Sequence, residues 1–183
     1  IKNMAFWSVG STEPKRAFRW TFTLGTGLAG ATIQTYFCKS VTKPSFEVSS
    51  VPHQFVQHTF HYPGRLTWNP VDVTFVDPVQ PDTSTILANI VADSGYRIPS
   101  DPQVALESMS KGQFIANVGT PTIQQIDSEG IPIETWTLNN AFVTSLNFGD
   151  LNYESEDLVV VAMTLQYDYA TLTGTSTPSS LQS

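Results

Sequence analysis

Cysteine and charged residues are scarce in this sequence. The 183 residues include one cysteine, Cys38, so a fold held together by disulfides within the chain is excluded. Asp, Glu, Lys and Arg make up only 14% of the residues, against about 25% in an average globular domain. Such a composition is typical of β-rich proteins with exposed sheet faces, and of assemblies in which subunits cover each other's surfaces.

Two further absences exclude classes of function. No Lys or Arg follows Lys111, and the net charge is -7. The chain therefore lacks the basic patch with which a nucleic-acid binder displaces counterions from phosphates. No apolar run approaches the roughly 20 residues that span a bilayer, so we expect no membrane insertion.

The few charges are unevenly distributed. Residues 1–43 contain six basic residues and one acid, whereas residues 112–183 contain eight acids and no base. Oppositely charged regions on one molecule allow its copies to recognise each other. The pattern therefore predicts self-association through unlike surfaces.

Alternation of apolar and polar residues predicts short β-strands. The clearest is 158–169, where every second residue from Val159 to Tyr169 is apolar. Its other face is apolar only at the start, which predicts that something extra covers part of it. Further strands are predicted at 18–24, 32–38, 46–51, 53–62, 71–75 and 131–146, with breaks at Pro52, Pro63-Gly64 and 127–130.

One helix is predicted, at 81–95. Asp82 or Thr83 can cap the start of this helix and Gly95 its end. The apolar stripe of the helix consists of Ile86, Leu87, Ile90 and Val91. Residues 113–127 are predicted to be extended. Many short strands and one helix predict a mainly β fold: two packed antiparallel sheets, a sandwich or barrel, with one flanking α-helix.

No motif predicts catalysis or a cofactor. GxGxxG occurs at 25–30, but the residues after it do not favour the helix that a dinucleotide site needs. His53, His58 and His61 alternate between strand faces and form no metal-ligand set. The loop 150–156 lacks the central glycine and terminal glutamate of a calcium loop. We therefore expect no enzyme, cofactor or metal.

Seven segments follow one another in a distinctive order: FCK at 37–39, YPGR at 62–65, WNPVDVTFVD at 68–77, DSEG at 127–130, ETWTLNNAF at 134–142, SLNFGD at 145–150 and VAMTLQYDY at 161–169. This order resembles that of the tail tube proteins of contractile-tailed, T4-like bacteriophages. The resemblance covers about residues 17–170, and the tubes of type VI secretion share the fold.

The resemblance implies a structural protein of the virion tail, assembled in the host cytoplasm. Six copies form a ring, rings stack head to tail, and one sheet per subunit joins the wall of a hollow tube. The implied partners are a sheath protein, a tape-measure protein, a baseplate and a tail terminator. Genomic double-stranded DNA passes through without specific binding. The implied divisions are an N-terminal extension (1–16), a tail-tube β domain (17–170) and a flexible Ser/Thr-rich tail (171–183).

Two groups of residues are predicted to make contacts in such a tube. The first belongs to a long, aromatic arm of low charge and would meet a neighbouring subunit: Phe55, His58, Phe60, Arg65 and Trp68. The second is acidic and would face the lumen, where carboxylates repel DNA, or the next ring: Asp150, Glu154, Glu156 and Asp157.

Alternative functions remain open. The chain is either a phage tail tube protein or the inner tube protein of a bacterial contractile injection or secretion system, which the neighbouring genes would distinguish. A carbohydrate-binding β-sandwich is a third possibility, because Trp7 and Trp68 lie near predicted loops, where an indole can stack on a sugar. A glycosidase is the weakest alternative, since no pair of carboxylates stands out.

Overall fold

The computed structural model of the chain describes residues 14–25, 35–98, 106 and 108–174. These residues contain ten strands, two α-helices and a 3₁₀ turn at Thr35–Phe37. The strands are β1 (Trp20–Thr23), β2 (Cys38–Val41), β3 (Phe46–Phe55), β4 (His58–Trp68), β5 (Val71–Val76), β6 (Thr122–Ile126), β7 (Pro132–Asn139), β8 (Phe142–Asn147), β9 (Val160–Gln166) and β10 (Tyr169–Gly174). The helices are α1 (Thr83–Asp93) and α2 (Lys111–Val118).

Eight strands form two four-stranded antiparallel sheets. Sheet A has the order β1–β6–β7–β10 and sheet B the order β2–β5–β9–β8, while β3 and β4 form a separate ribbon. The sheets pack face to face, with the ring centroids of Phe22 in β1 and Phe75 in β5 lying 5.9 Å apart. This confirms the predicted mainly β fold of two packed sheets. The core also contains Leu87 and Ile90 of α1 and Phe114 and Val118 of α2.

The strand pattern at 158–169 is confirmed over most of its length. Val161, Met163 and Leu165 are 0%, 1% and 0% exposed, and burying each such side chain contributes about 1.5–3 kcal/mol. The prediction is wrong at its end, because β9 stops at Gln166 and the chain crosses to sheet A as β10. Tyr169 is therefore exposed instead of buried.

A second predicted strand, 131–146, is also divided by a corner. Asn140 has a φ of +55°, and there the chain leaves β7 in sheet A to enter β8 in sheet B. The Nδ2 group of Asn140 donates to Asp168 Oδ2 at 2.9 Å, which ties this corner to the one between β9 and β10. Lys111 Nζ lies 2.7 Å from the same carboxylate.

Helix α1 lies within the predicted range. Asp82 caps it by accepting a hydrogen bond from the backbone N–H of Thr85 at 3.0 Å. The prediction of one helix and of an extended 113–127 is wrong, because α2 occupies the first half of that segment. Ser110 caps α2, and Gly119, with a φ of +69°, ends it.

Several predicted boundaries also differ. β1 begins at Trp20, two residues after the start of the predicted strand 18–24, and Phe18 is 74% exposed. In the segment predicted as a strand at 32–38, the described part is a 3₁₀ turn that leads into β2 at Cys38. β10 continues to Gly174, so the first residues of the predicted tail are paired with β7. Residues 1–13, 26–34 and 175–183 lie outside the described ones.

Neither described helix is long and apolar enough to cross a membrane.

Candidate assembly surfaces

The ribbon of β3 and β4, which we call the arm (46–68), is the most exposed regular element. Every residue of β3 is exposed, and in β4 only Trp68 is partly buried. The two strands pair only with each other in the described chain. A two-stranded hairpin is marginally stable in water unless its surface packs against something else, and no other strand of the described chain pairs with the arm.

The arm turns at a different place from the one predicted. β3 runs through Pro52, and β4 runs through Pro63 and Gly64, the residues predicted to end or turn the strands. The turn lies at Val56 and Gln57, between the paired residues Phe55 and His58. Gly64 instead belongs to a bulge where a Cβ atom would lie 2.2 Å from the Ser49 side-chain oxygen, so glycine allows this close approach.

The outer half of the arm has one apolar and one polar face. The register pairs on the apolar face are Val51–Tyr62, His53–Phe60 and Phe55–His58. The pairs on the other face are Ser50–Pro63, Pro52–His61 and Gln54–Thr59. Phe55, Phe60 and Tyr62 are 63%, 51% and 57% exposed. Residues 48–64 contain no Asp, Glu, Lys or Arg, so the apolar face is suited to a dry contact with protein.

The base of the arm is anchored in its own domain. The Trp68 ring lies 5.2 Å from that of Phe46 and 5.8 Å from that of the buried Tyr167. Of the residues predicted at an interface, Phe55, His58 and Phe60 thus share the apolar face, Arg65 lies exposed at the bulge, and Trp68 anchors the base.

The predicted acids lie on one connector. Residues 148–159 join β8 to β9 at one end of sheet B, and the four acids of this acidic loop are exposed, with no base at ion-pair distance in the described chain. Leu151 and Tyr153 are also exposed there. The loop is shaped by its own short hydrogen bonds, such as that from the Glu154 N–H to Asn152 Oδ1 at 3.0 Å.

Charges of the two chain halves meet within the molecule. Lys15 and Lys43 both bind the Glu134 carboxylate, the latter at 2.8 Å. Burial would raise the pKa of Glu134, but hydrogen bonds from Lys15, Lys43 and Trp136 outweigh it and lower the pKa to about 2. The predicted opposition of two charged surfaces is therefore partly cancelled within the molecule, whereas the ion pairs among the described residues involve none of the acids of the acidic loop.

The groove between α1, α2 and β8 is mainly apolar and has no titratable side chain other than Tyr96 in its lining. Its volume is about 570 Å³, and its walls include Val91, Tyr96, Met109, Phe114 and Phe148, with no Asp, Glu, His, Lys or Arg. Among residues 14–25, 35–98, 106 and 108–174, no three His, Cys, Asp or Glu side chains are grouped so that they could hold a metal ion.

The tryptophans do not form a sugar platform in the described chain. Trp68 is partly buried against Tyr167 and Phe46, and Trp20 and Trp136 pack against the core. Trp7 lies outside the described residues. The carbohydrate-binding alternative thus has no exposed indole to support it there.

No protein-family model matches the sequence, and no curated protein matches it significantly. Solved structures do match, over nearly the whole chain. A chain of the sheath–tube complex of PVC, an extracellular contractile injection system in its extended state, matches with a TM-score of 0.63 and 17% identity, over 93% of this chain and 99% of that one.

Two further structures come from the anti-feeding prophage AFP. A chain of its tube-terminating cap matches with a TM-score of 0.63 and 19% identity, over 93% of this chain and 99% of that one. A chain of its baseplate, solved with six-fold symmetry, matches with a TM-score of 0.63 and 13% identity, over 89% of this chain and 97% of that one. At these identities the likeness concerns the fold, and this chain has the fold of chains found in contractile injection particles.

Proposed function

We propose that this chain is the tube subunit of a contractile tail or injection machine, a structural protein without enzymatic activity. The observation that carries the proposal is the likeness of fold over nearly the full length of both chains, to chains of a sheath–tube complex and a tube cap. A match that covers 99% of the other chain leaves no extra domain of that chain unmatched.

The arm supports a role in assembly. Its apolar face has no cover in the described chain, and an exposed apolar surface of this kind marks a protein contact. Because the arm and the body of the domain are unlike surfaces, an arm docked on a neighbouring copy makes a head-to-tail contact, which generates rings or filaments. We propose that Phe55, His58 and Phe60 lie in this contact.

The ring size and partners follow from the resemblance. We propose six copies per ring, in keeping with the six-fold symmetry of the AFP baseplate. A sheath protein outside and a terminator at the end of the tube are proposed, because the matched chains come from a sheath–tube complex and a tube cap. A tape-measure protein and a baseplate complete the set, and the location is the tail of the particle, assembled in the host cytoplasm.

The cargo separates two versions of this function. A phage tail tube conducts double-stranded DNA, whereas an injection machine delivers protein. The fold that this chain shares with the similar structures described above is compatible with both versions. Genes for capsid and terminase beside this gene would indicate a phage, and genes for effectors and an ATPase would indicate an injection machine.

The acidic loop has a proposed role at the contact between rings. Asp150, Glu154, Glu156 and Asp157 lie at one end of sheet B, where an end of the molecule would meet the next ring. Contacts of exposed carboxylates weaken as salt screens them, so we expect tube length to depend on ionic strength.

Negative-stain microscopy of the purified protein over a range of concentrations and salt tests the function. We expect hollow tubes of uniform width that lengthen with concentration. A protein that sediments as a single subunit of 20.1 kDa under all these conditions, and binds glycans in that state, would instead support the carbohydrate-binding alternative.

A further inference from the structure

The outward face of sheet A is a lattice of uncharged hydroxyl and amide side chains. Two rows of register partners cross all four strands on this face. The first row is Thr21, Gln124, Thr135 and Thr173, and the second is Thr23, Thr122, Thr137 and Thr171.

The residues between these rows point the other way. Phe22 and Ile123 are register partners and are 1% and 2% exposed. Since alternate residues of a strand face opposite sides, the two threonine rows must face away from the core. Threonine is β-branched and suits a pleated strand, while its hydroxyl exchanges hydrogen bonds with water. The eight residues of these two rows are thus wettable and carry no charge.

The outward face of sheet B differs from that of sheet A by a carboxylate and an apolar end. The register pairs of β5 and β9 there are Val76–Val160, Thr74–Ala162 and Asp72–Thr164, and β2 and β8 extend the last two rows with Ser40, Ser145 and Asn147. Ala162 is exposed and the two valines are partly so, and Leu158, just before β9, is 72% exposed. Apolar side chains beside a carboxylate suit a surface covered by protein more than a channel filled with water.

The edge strands also favour sheet A as the sheet that joins its neighbours. A wall that runs through several subunits needs sheets that join at their end strands, since closure removes the exposed edges. The end strands of sheet A are β1 and β10. In sheet B the end strand β8 is flanked by α2, where the rings of Phe114 and Phe142 lie 6.4 Å apart. The helices therefore crowd an edge of sheet B and leave sheet A as the sheet better placed to join its neighbours.

We propose that the outward face of sheet A lines the bore of the tube, so that the bore wall is an uncharged threonine lattice and the acidic loop lies outside it. This inference rests on the proposed tube function. Rows of side chains without Lys or Arg do not retain the phosphates of DNA, and rows without Asp or Glu do not retain cationic protein. The lattice therefore suits transit of cargo of either charge.

Thiol labelling of assembled tubes tests the proposal. The parent is Cys38→Ala, which removes the native thiol, whose pKa burial already raises to about 12. Thr137→Cys places a thiol on the sheet A lattice, and Thr74→Cys is the matched threonine on the outward face of sheet B. Each is treated with a small maleimide and with a maleimide on a polymer too wide to enter the tube, before and after assembly.

The two sheets should give different labelling patterns. For Thr137→Cys in tubes we expect labelling by the small reagent and loss of labelling by the polymer, while the free subunit reacts with both. Thr74→Cys in tubes should react with both reagents or with neither. Thr171→Cys, the partner of Thr137 on β10, is a second reporter if the first variant does not assemble.

Other outcomes overturn the assignment. If the sheet A thiol in tubes reacts with the polymer, or with neither reagent, that face lies outside or in an interface. If Thr74→Cys alone shows the small-reagent pattern, sheet B lines the bore. If the parent forms no tubes at all, the tube function fails and this inference falls with it, a result distinguishable from an altered labelling pattern in intact tubes.

Discussion

At the scale of single residues, Glu134 joins parts of the chain that are far apart in sequence. Its carboxylate, 13% exposed, accepts from Lys15 and Lys43 and from the Trp136 indole N–H at 2.7 Å. Lys43 also donates to Gln125 Oε1 at 2.7 Å. The cluster fastens the segment before β1 and the link between β2 and β3 to sheet A.

Replacing Glu134 by Gln removes the charge and keeps a hydrogen-bond acceptor. The pKa of Glu134 in the folded state, about 2, lies below its ordinary value of 4.5. The carboxylate therefore stabilises the fold at pH values above 4.5, and this stabilisation is lost as the pH falls from 4.5 towards 2. The shift corresponds to about 3 kcal/mol, which screening at the half-exposed lysines reduces to about 1 kcal/mol.

Urea unfolding at several pH values checks this prediction. We expect Glu134→Gln to be about 1 kcal/mol less stable than the parent at neutral pH, with the gap closing as pH falls from 4.5 to 2. Glu129→Gln, an exposed acid in the turn before β7, is the control and should change little. A gap that stays constant down to pH 2 would contradict the role given to the charge.

Gly25 and Gly119 lie against each other where β1 ends and α2 leads to β6. A Cβ on Gly25 would lie 2.1 Å from the backbone N of Thr120. A backbone atom cannot move aside as the end of a flexible side chain can. We expect Gly25→Ala to cost about 2 kcal/mol or more. Gly112→Ala in α2, with nothing within 4 Å, should instead stabilise by about 0.5–1 kcal/mol. Equal effects in denaturant unfolding would refute the close approach.

At the scale of elements, local patterns predicted some strands well and others poorly. β5, β9 and α1 were predictable because their apolar residues keep a steady period against one core. α2 was missed although Ser110 and Gly119 mark its ends, since it is one short helix of eight residues with an ordinary apolar pattern. The corner at Asn140 was missed because the apolar residues before and after it face the same core.

The arm was predicted as a contact element but with a misplaced turn. Pro63-Gly64 is a strong local turn signal, yet in the structure these residues lie within β4, at the bulge opposite Ser49. The actual turn contains Val56 with a φ of +53°, a conformation that is uncommon for β-branched residues. Sequence alone gave no reason to place the turn there.

Two double variants test the arm's apolar face. Phe55→Ser/Phe60→Ser removes apolar surface from it, and Gln54→Ser/Thr59→Ser changes a register pair on the opposite face. Because all four side chains are exposed, neither variant should change the subunit's stability by more than about 0.5 kcal/mol. We expect the first to abolish tubes in negative stain and the second to form them. Equal assembly of both would show that this face makes no essential contact.

At the scale of the whole molecule, composition indicates that charge is scarce but does not report where the uncharged surfaces lie. The scarcity of charge has two sources that only the fold separates: residues 48–64 of the arm, and the threonine lattice of sheet A. The lattice was invisible in the sequence because its eight members come from four strands that are distant along the chain and meet only through register.

The charge asymmetry of the chain was also only partly informative. Its basic and acidic stretches meet at Glu134, and Lys111, which lies between them in the sequence, pairs with another acid of the second stretch, Asp168. Which acids remain unpaired depends on pairings between residues far apart in sequence, such as Lys43 with Glu134, and single-sequence patterns do not report these.

Electron cryo-microscopy of the assembled protein tests the central claim most directly. We expect end-on views with six subunits around an open channel, side views of stacked rings, and density for the arm against a neighbouring subunit. Particles that hold one copy at every concentration, or assemblies with neither a ring nor a channel, would contradict the claim that this chain is a tube subunit.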